Sequence, residues 1–153
     1  LNTGFFFAYA KPVPINPMNF RHPRRGMMFS SLAGPLSNVV VAILFALLFR
    51  GLFMAGAVDF GDGELTLAEL AAALCFMTVR VNLALALFNM IPLPPLDGGH
   101  VLQYFLPLHL AERYEQLGRY GFLIIILLLQ TPLFGWYFQL VRPVLWVLTE
   151  AGL

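Results

Sequence analysis

The chain has 153 residues, of which 59% are hydrophobic and 11% charged, and its formal net charge is +1. Soluble domains carry about 25% charged residues, so this composition excludes an ordinary soluble domain and leaves an integral membrane protein. Near-neutral charge gives no case for nucleic acid, and the single cysteine, Cys75, excludes an internal disulfide and reads as a small hydrophobe.

Residues 1–28 open on Leu1 and an apolar run, Gly4 to Ala10, too short to cross a bilayer of about 30 Å. The start reads as cut, so the chain is expected to be a fragment. Phe5-Phe6-Phe7-Ala8-Tyr9-Ala10 is strand-like, and the prolines at 12, 14 and 17 exclude a helix. A small membrane-associated β-hairpin is predicted here. Phe20 to Gly26, with Arg21, Arg24 and Arg25, reads as a basic turn anchored on anionic lipid.

Residues 29–57 form the first predicted span. Ser30 to Phe49 carries no charge and is long enough to cross. Gly34-Pro35 marks a helix start or kink. Asn38, one turn on, is an amide that needs partners. Arg50 can snorkel to the far interface. Residues 58–66 are a Gly-rich acidic turn without the spacing of a calcium loop. Thr66 and Glu69 predict a capping box.

The second predicted span covers 66–92, interrupted by Arg80 and Asn82. An arginine at such depth should face the bundle interior or water and find a partner. Asn82 and Asn89 lie two helical turns apart, on one side. Residues 93–119 then hold a proline-rich loop and, from Leu108 to Arg119, an amphipathic interfacial segment. His109 reads as an ordinary interfacial residue. Residues 120–149 make one kinked span or two half-helices broken at Gln130-Thr131-Pro132. The expected architecture is a single all-α polytopic membrane domain, residues 1–153, with about three to four transmembrane helices plus the hairpin.

Chemistry concentrates in Asn89 to His100. Asp97 is the sole acid between Glu69 and Glu112. A carboxylate at that depth is costly unless it is paired, hydrated or bound to metal. Pro92, Pro94 and Pro95 stiffen the approach to it, and Gly98-Gly99 permits close backbone contact. Basic residues flank the two spans on the side of this loop, while the loop between the spans has no Lys or Arg. The positive-inside rule therefore predicts that the Asp97 loop lies toward the cytoplasm.

Asn89-x-x-Pro92-x-Pro94-x-Leu96-Asp97-Gly98-Gly99-His100 resembles the NxxPxPxLDGxH signature of the site-2 protease family, the intramembrane zinc metalloproteases. Ala33-Gly34-Pro35-x-x-Asn38 is similar to that family's AGPxxN element. Lys11 to Pro17, with Arg24-Arg25-Gly26, resembles the KPVPVNP…PRRG stretch of its short members, which lack a PDZ domain. The resemblance implies hydrolysis of peptide bonds in or near transmembrane segments of membrane proteins. It implies zinc as cofactor, with Asp97 as the third ligand, and two histidines and a catalytic glutamate on a HExxH helix. It also implies that Asn38 and Asn89 hold the substrate backbone or an oxyanion. The proline-rich stretch would border the path of an extended substrate. HExxH does not occur in residues 1–153, so this chain alone supplies no catalytic residue and is expected to be inactive. Two alternatives stand beside this reading. One is a non-catalytic scaffold or substrate-binding relative. The other is a transporter-like protein in which Arg80 and Asp97 form an ion pair.

Overall fold

The computed structural model describes residues 21–58 and 66–149. Its elements are α1 (Pro23–Met54), α2 (Leu67–Asn89), α3 (Asp97–Phe105), α4 (Leu108–Leu129), α5 (Pro132–Phe138) and α6 (Val141–Thr149). Among the described residues there is no strand. The hairpin expected around 5–17 and most of the acidic turn lie outside the described residues.

α1 and α2 are the two helices long and apolar enough to cross a membrane, and α4 with α5–α6 makes a third if that pair, bent by 85°, is one broken span. At 32 residues, α1 is about 48 Å long, well beyond the hydrocarbon thickness of about 30 Å. Its basic first turns therefore reach past the apolar stretch. Pro23 starts the helix, because a proline at the first helical position gives up an N–H that has no partner there anyway. Arg24 and Arg25 thus lie in the first turn of α1, and Arg21 and His22 precede it. Pro35, expected at a helix start or kink, lies inside α1.

α2 begins as its sequence predicts. Glu69 N–H donates to Thr66 Oγ1 at 3.2 Å, and Thr66 N–H donates to Glu69 Oε2 at 2.7 Å. The α1–α2 seam is built from small side chains. Ala42 and Ala46 meet Val79 and Leu83, and Phe49 meets Ala72 and Cys75. Lipid is as apolar as leucine, so burial alone does not join helices in a bilayer; small residues let the backbones approach closely. Large apolar residues such as Leu44, Leu47, Leu74 and Met77 point outward instead. Val141, Leu145 and Leu148 bring α6 onto the same seam.

α4 corrects one boundary. The amphipathic segment 108–119 and the apolar run 120–129 are one continuous helix, since nothing between Arg119 and Tyr120 breaks the backbone ladder. Asn82 and Asn89 both lie in α2, two turns apart on one side, and the Asn82 amide donates to Thr78 O at 2.9 Å within the helix. Arg80 lies over the Phe76 ring, 5.8 Å from its centroid, and among the described residues it forms no ion pair with Asp97.

Candidate metal centre

The site grows out of the segment between α2 and α3. From Met90 to Leu96 it contains three prolines, which have no N–H to satisfy. The four remaining N–H groups all find acceptors. Met90 donates to Ala86 O and Leu87 O, Ile91 to Phe88 O at 3.1 Å, Leu93 to Ile91 O at 2.7 Å, and Leu96 to Leu93 O at 2.9 Å. Irregular backbone is tolerated at membrane depth only when its polar groups are satisfied locally. This proline spacing meets that condition. The Pro94–Pro95 peptide bond is cis.

Three glycines let this segment fold tightly. A Cβ on Gly98 would collide with Met90 O and sit 2.6 Å from Ile91 O. One on Gly99 would sit 2.7 Å from Pro94 N. One on Gly121 of α4 would meet Pro94 O directly and Pro95 Cδ at 2.6 Å. The loop is therefore clasped between the first turn of α3 and the middle of α4. Gly118 and Gly121, three residues apart on one face, are the sequence signal for this crossing, and reading the sequence missed it.

Asp97 is the first residue of α3, and its carboxylate benefits from the positive end of the helix dipole. It reaches α1 at Gly34, where a Cβ would lie 3.1 Å from Asp97 Oδ2. The glycine of Ala33-Gly34-Pro35 is thus the clearance for the aspartate of the second motif. Burial pushes the Asp97 carboxyl above the usual carboxylate range, and the charge of His100 pulls it partly back. Asn38 is one turn beyond Gly34 and shares its face of α1. Asn89 closes α2 immediately before the loop. Both amides are half-buried, and neither has a hydrogen-bond partner among the described residues.

A partly buried carboxylate with no bonded partner suits a cation. Catalytic zinc takes about three protein ligands plus water, and a carboxylate oxygen is an acceptable one. Among the described residues no group of three His, Cys, Asp or Glu side chains could hold a metal. Asp97 therefore fits zinc as one ligand of a set and not as a complete site.

The arginines read as lipid anchors do something more definite. Arg24 Nη2 donates to Gln103 O at 3.0 Å, Tyr104 O at 3.0 Å and Leu106 O at 2.7 Å, the carbonyls at the end of α3. Arg25 Nε donates to Tyr104 Oη at 3.4 Å. Gln103 Nε2 donates to Glu115 Oε2 of α4 at 3.3 Å, and Tyr137 Oη of α5 donates to Leu87 O near the end of α2 at 3.0 Å.

The chain is similar to known proteins. Residues 51–129 match peptidase family M50. The chain is 34% identical over 148 residues to "Putative zinc metalloprotease YwhC" of Bacillus subtilis, covering 95% of this chain and 62% of that protein. It is 36% identical over 112 residues to "Putative zinc metalloprotease Rip2" of Mycolicibacterium smegmatis, covering 72% of this chain and 39% of that protein. It is 36% identical over 74 residues to "Putative zinc metalloprotease MJ0611" of Methanocaldococcus jannaschii, covering 48% of this chain and 32% of that protein. The chain thus spans less than two thirds of each relative's length. No solved structure matches it. With the matched region running from the end of α1 through the Asp97 loop to the end of α4, the chain belongs to peptidase family M50, the site-2 protease family.

Proposed function

We propose that the protein acts as part of an intramembrane zinc metalloprotease, with Asp97 as a zinc ligand and Asn38 and Asn89 as amides that hold substrate. One observation carries this reading: the Asp97 carboxylate is lodged against Gly34 at the start of α3, on a loop whose N–H groups are all bonded. The bonded loop fixes the backbone from which this carboxylate projects, and a fixed starting point is part of the preorganisation that a metal ligand needs. Zinc, when bound, supplies Lewis-acid polarisation and an activated water for peptide hydrolysis. The residues of this chain hold and orient. Asp97 fixes one coordination position, and the two free amides can donate to a substrate carbonyl or an oxyanion. The basic residues flanking the two spans on its side favour a loop facing the cytoplasm. Transmembrane segments of other proteins are the substrate class. These 153 residues contain no HExxH, so a preparation of them alone is expected not to hydrolyse peptides.

Zinc removal tests the reading. The protein expressed from its whole gene is reconstituted in lipid with a membrane protein carrying one apolar span. Chelation by phenanthroline should abolish cleavage of that span, and added zinc should restore it. Cleavage that persists at full rate after zinc removal would overturn the proposal.

Gly34→Ala gives a finer test. The new Cβ would crowd Asp97 Oδ2 at 3.1 Å, so the carboxylate must give way by a few tenths of an ångström. The same change adds helix propensity of about 1 kcal/mol. The expected result is a protein at least as stable to heat that holds zinc about tenfold more weakly, measured by calorimetry and chelator competition.

A further inference from the structure

We propose that Arg24 is a positioning residue for Asp97, acting through the length of α3. The inference rests on Asp97 being a zinc ligand, as proposed above. α3 has nine residues, too few to be stable as a free helix, so whatever holds its ends decides where it lies. Its last turn contains no basic residue of its own. The orphan carbonyls there are served by Arg24 from α1, whose guanidinium reaches three of them. That supplies both hydrogen bonds and a positive charge at the negative end of the helix dipole.

The spacing makes this a two-point clamp. Arg24 and Gly34 are ten residues apart on α1, a rise of about 15 Å. The nine residues of α3 rise about 13 Å. The two helices therefore meet at both ends, Arg24 at the carbonyl end of α3 and Gly34 at Asp97. Without Arg24 the far end of α3 keeps the 3.3 Å Gln103–Glu115 contact to α4 and the long, 3.4 Å Arg25–Tyr104 contact to α1. α3 is then free to rotate on its clasp at Gly98 and Gly99, and the Asp97 side chain, on the first residue of the same helix, changes direction with it. Metal sites tolerate only about 0.5 Å of such movement.

The experiment uses the protein from its whole gene as wild type, Arg24→Gln, Arg24→Lys and Asp97→Ala. Zinc affinity is measured by chelator competition, and amide hydrogen exchange is followed in residues 97–105 and, as a fold control, 72–86. Arg24→Gln should hold zinc about 10- to 100-fold more weakly, in the range of losses caused by removing groups that orient metal ligands. Exchange should quicken in α3 and stay unchanged in α2. Arg24→Lys keeps the charge but not the planar fork, so its affinity should fall severalfold and remain above that of Arg24→Gln. Wild-type zinc affinity in both Arg24 variants, with Asp97→Ala losing zinc, would overturn this inference alone. Should Arg24→Gln fail to fold, the affinity of Arg24→Lys decides, and an unchanged value overturns it. If Asp97→Ala keeps its zinc, the ligand assignment fails and the positioning role falls with it.

Discussion

Asp97→Ala in the protein from its whole gene is expected to lower zinc affinity at least about a hundredfold, because it deletes one ligand of a small set whose joint binding energy is large. Proteolysis should fall below detection with it. The fold should survive, since the Asp97 side chain makes no hydrogen bond or ion pair among the described residues and leaves open space beside Gly34. Asp97→Asn separates charge from shape. It keeps the volume against Gly34 but removes the negative charge, so it should lose zinc nearly as completely while unfolding, with both proteins zinc-free, at the wild-type temperature or above it. The gain in stability would follow from removing a carboxylate that burial disfavours. Zinc content after dialysis and thermal unfolding in detergent check both variants. Full zinc retention by Asp97→Ala would show that the metal is held without this residue.

Gly98→Ala should have the largest effect on stability. Its Cβ would be driven into Met90 O and to 2.6 Å from Ile91 O. Both are backbone atoms, and no flexible side chain can move aside for it. Overpacking of this type costs about 3 kcal/mol at its upper range, and the gain in helix propensity of about 1 kcal/mol offsets only part. The variant should unfold at markedly lower denaturant and lose zinc as the loop is pushed off α3. Gly51→Ala is the matched control, because a Cβ there meets nothing within 4 Å. It should be neutral or slightly stabilising. Equal unfolding midpoints for the two variants would show that the loop does not press on Gly98.

The sequence reveals what is local or carried by a motif. The capping box of α2 follows from Thr66 and Glu69 three residues apart, a purely local signal. The two spans follow from long apolar runs, the second in spite of Arg80, although their limits shifted: α1 reaches back to Pro23, and α2 stops at Asn89, before Pro92. The loop stood out because three prolines and two glycines crowd around one acid. Partnerships across the chain did not. Arg24 finds its acceptors 79 to 82 residues away, and no local pattern separates such an arginine from one lying on lipid. The change from charged to apolar at Arg119–Tyr120 looked like a boundary, yet it marks only a change of surroundings along one helix. The meeting of Gly34 with Asp97 joins two motifs recognised separately, and neither contains the distance between them.

The bonding of the loop also fixes its grammar toward a partner. Between Met90 and Leu96 every N–H is either absent, at a proline, or already bonded, so the backbone there can accept hydrogen bonds but has none left to give. A peptide chain lying alongside would be recognised through its own N–H groups alone. Its carbonyl oxygens, the atoms on which hydrolysis turns, would have to look past the loop for donors, toward side-chain amides such as those of Asn38 and Asn89.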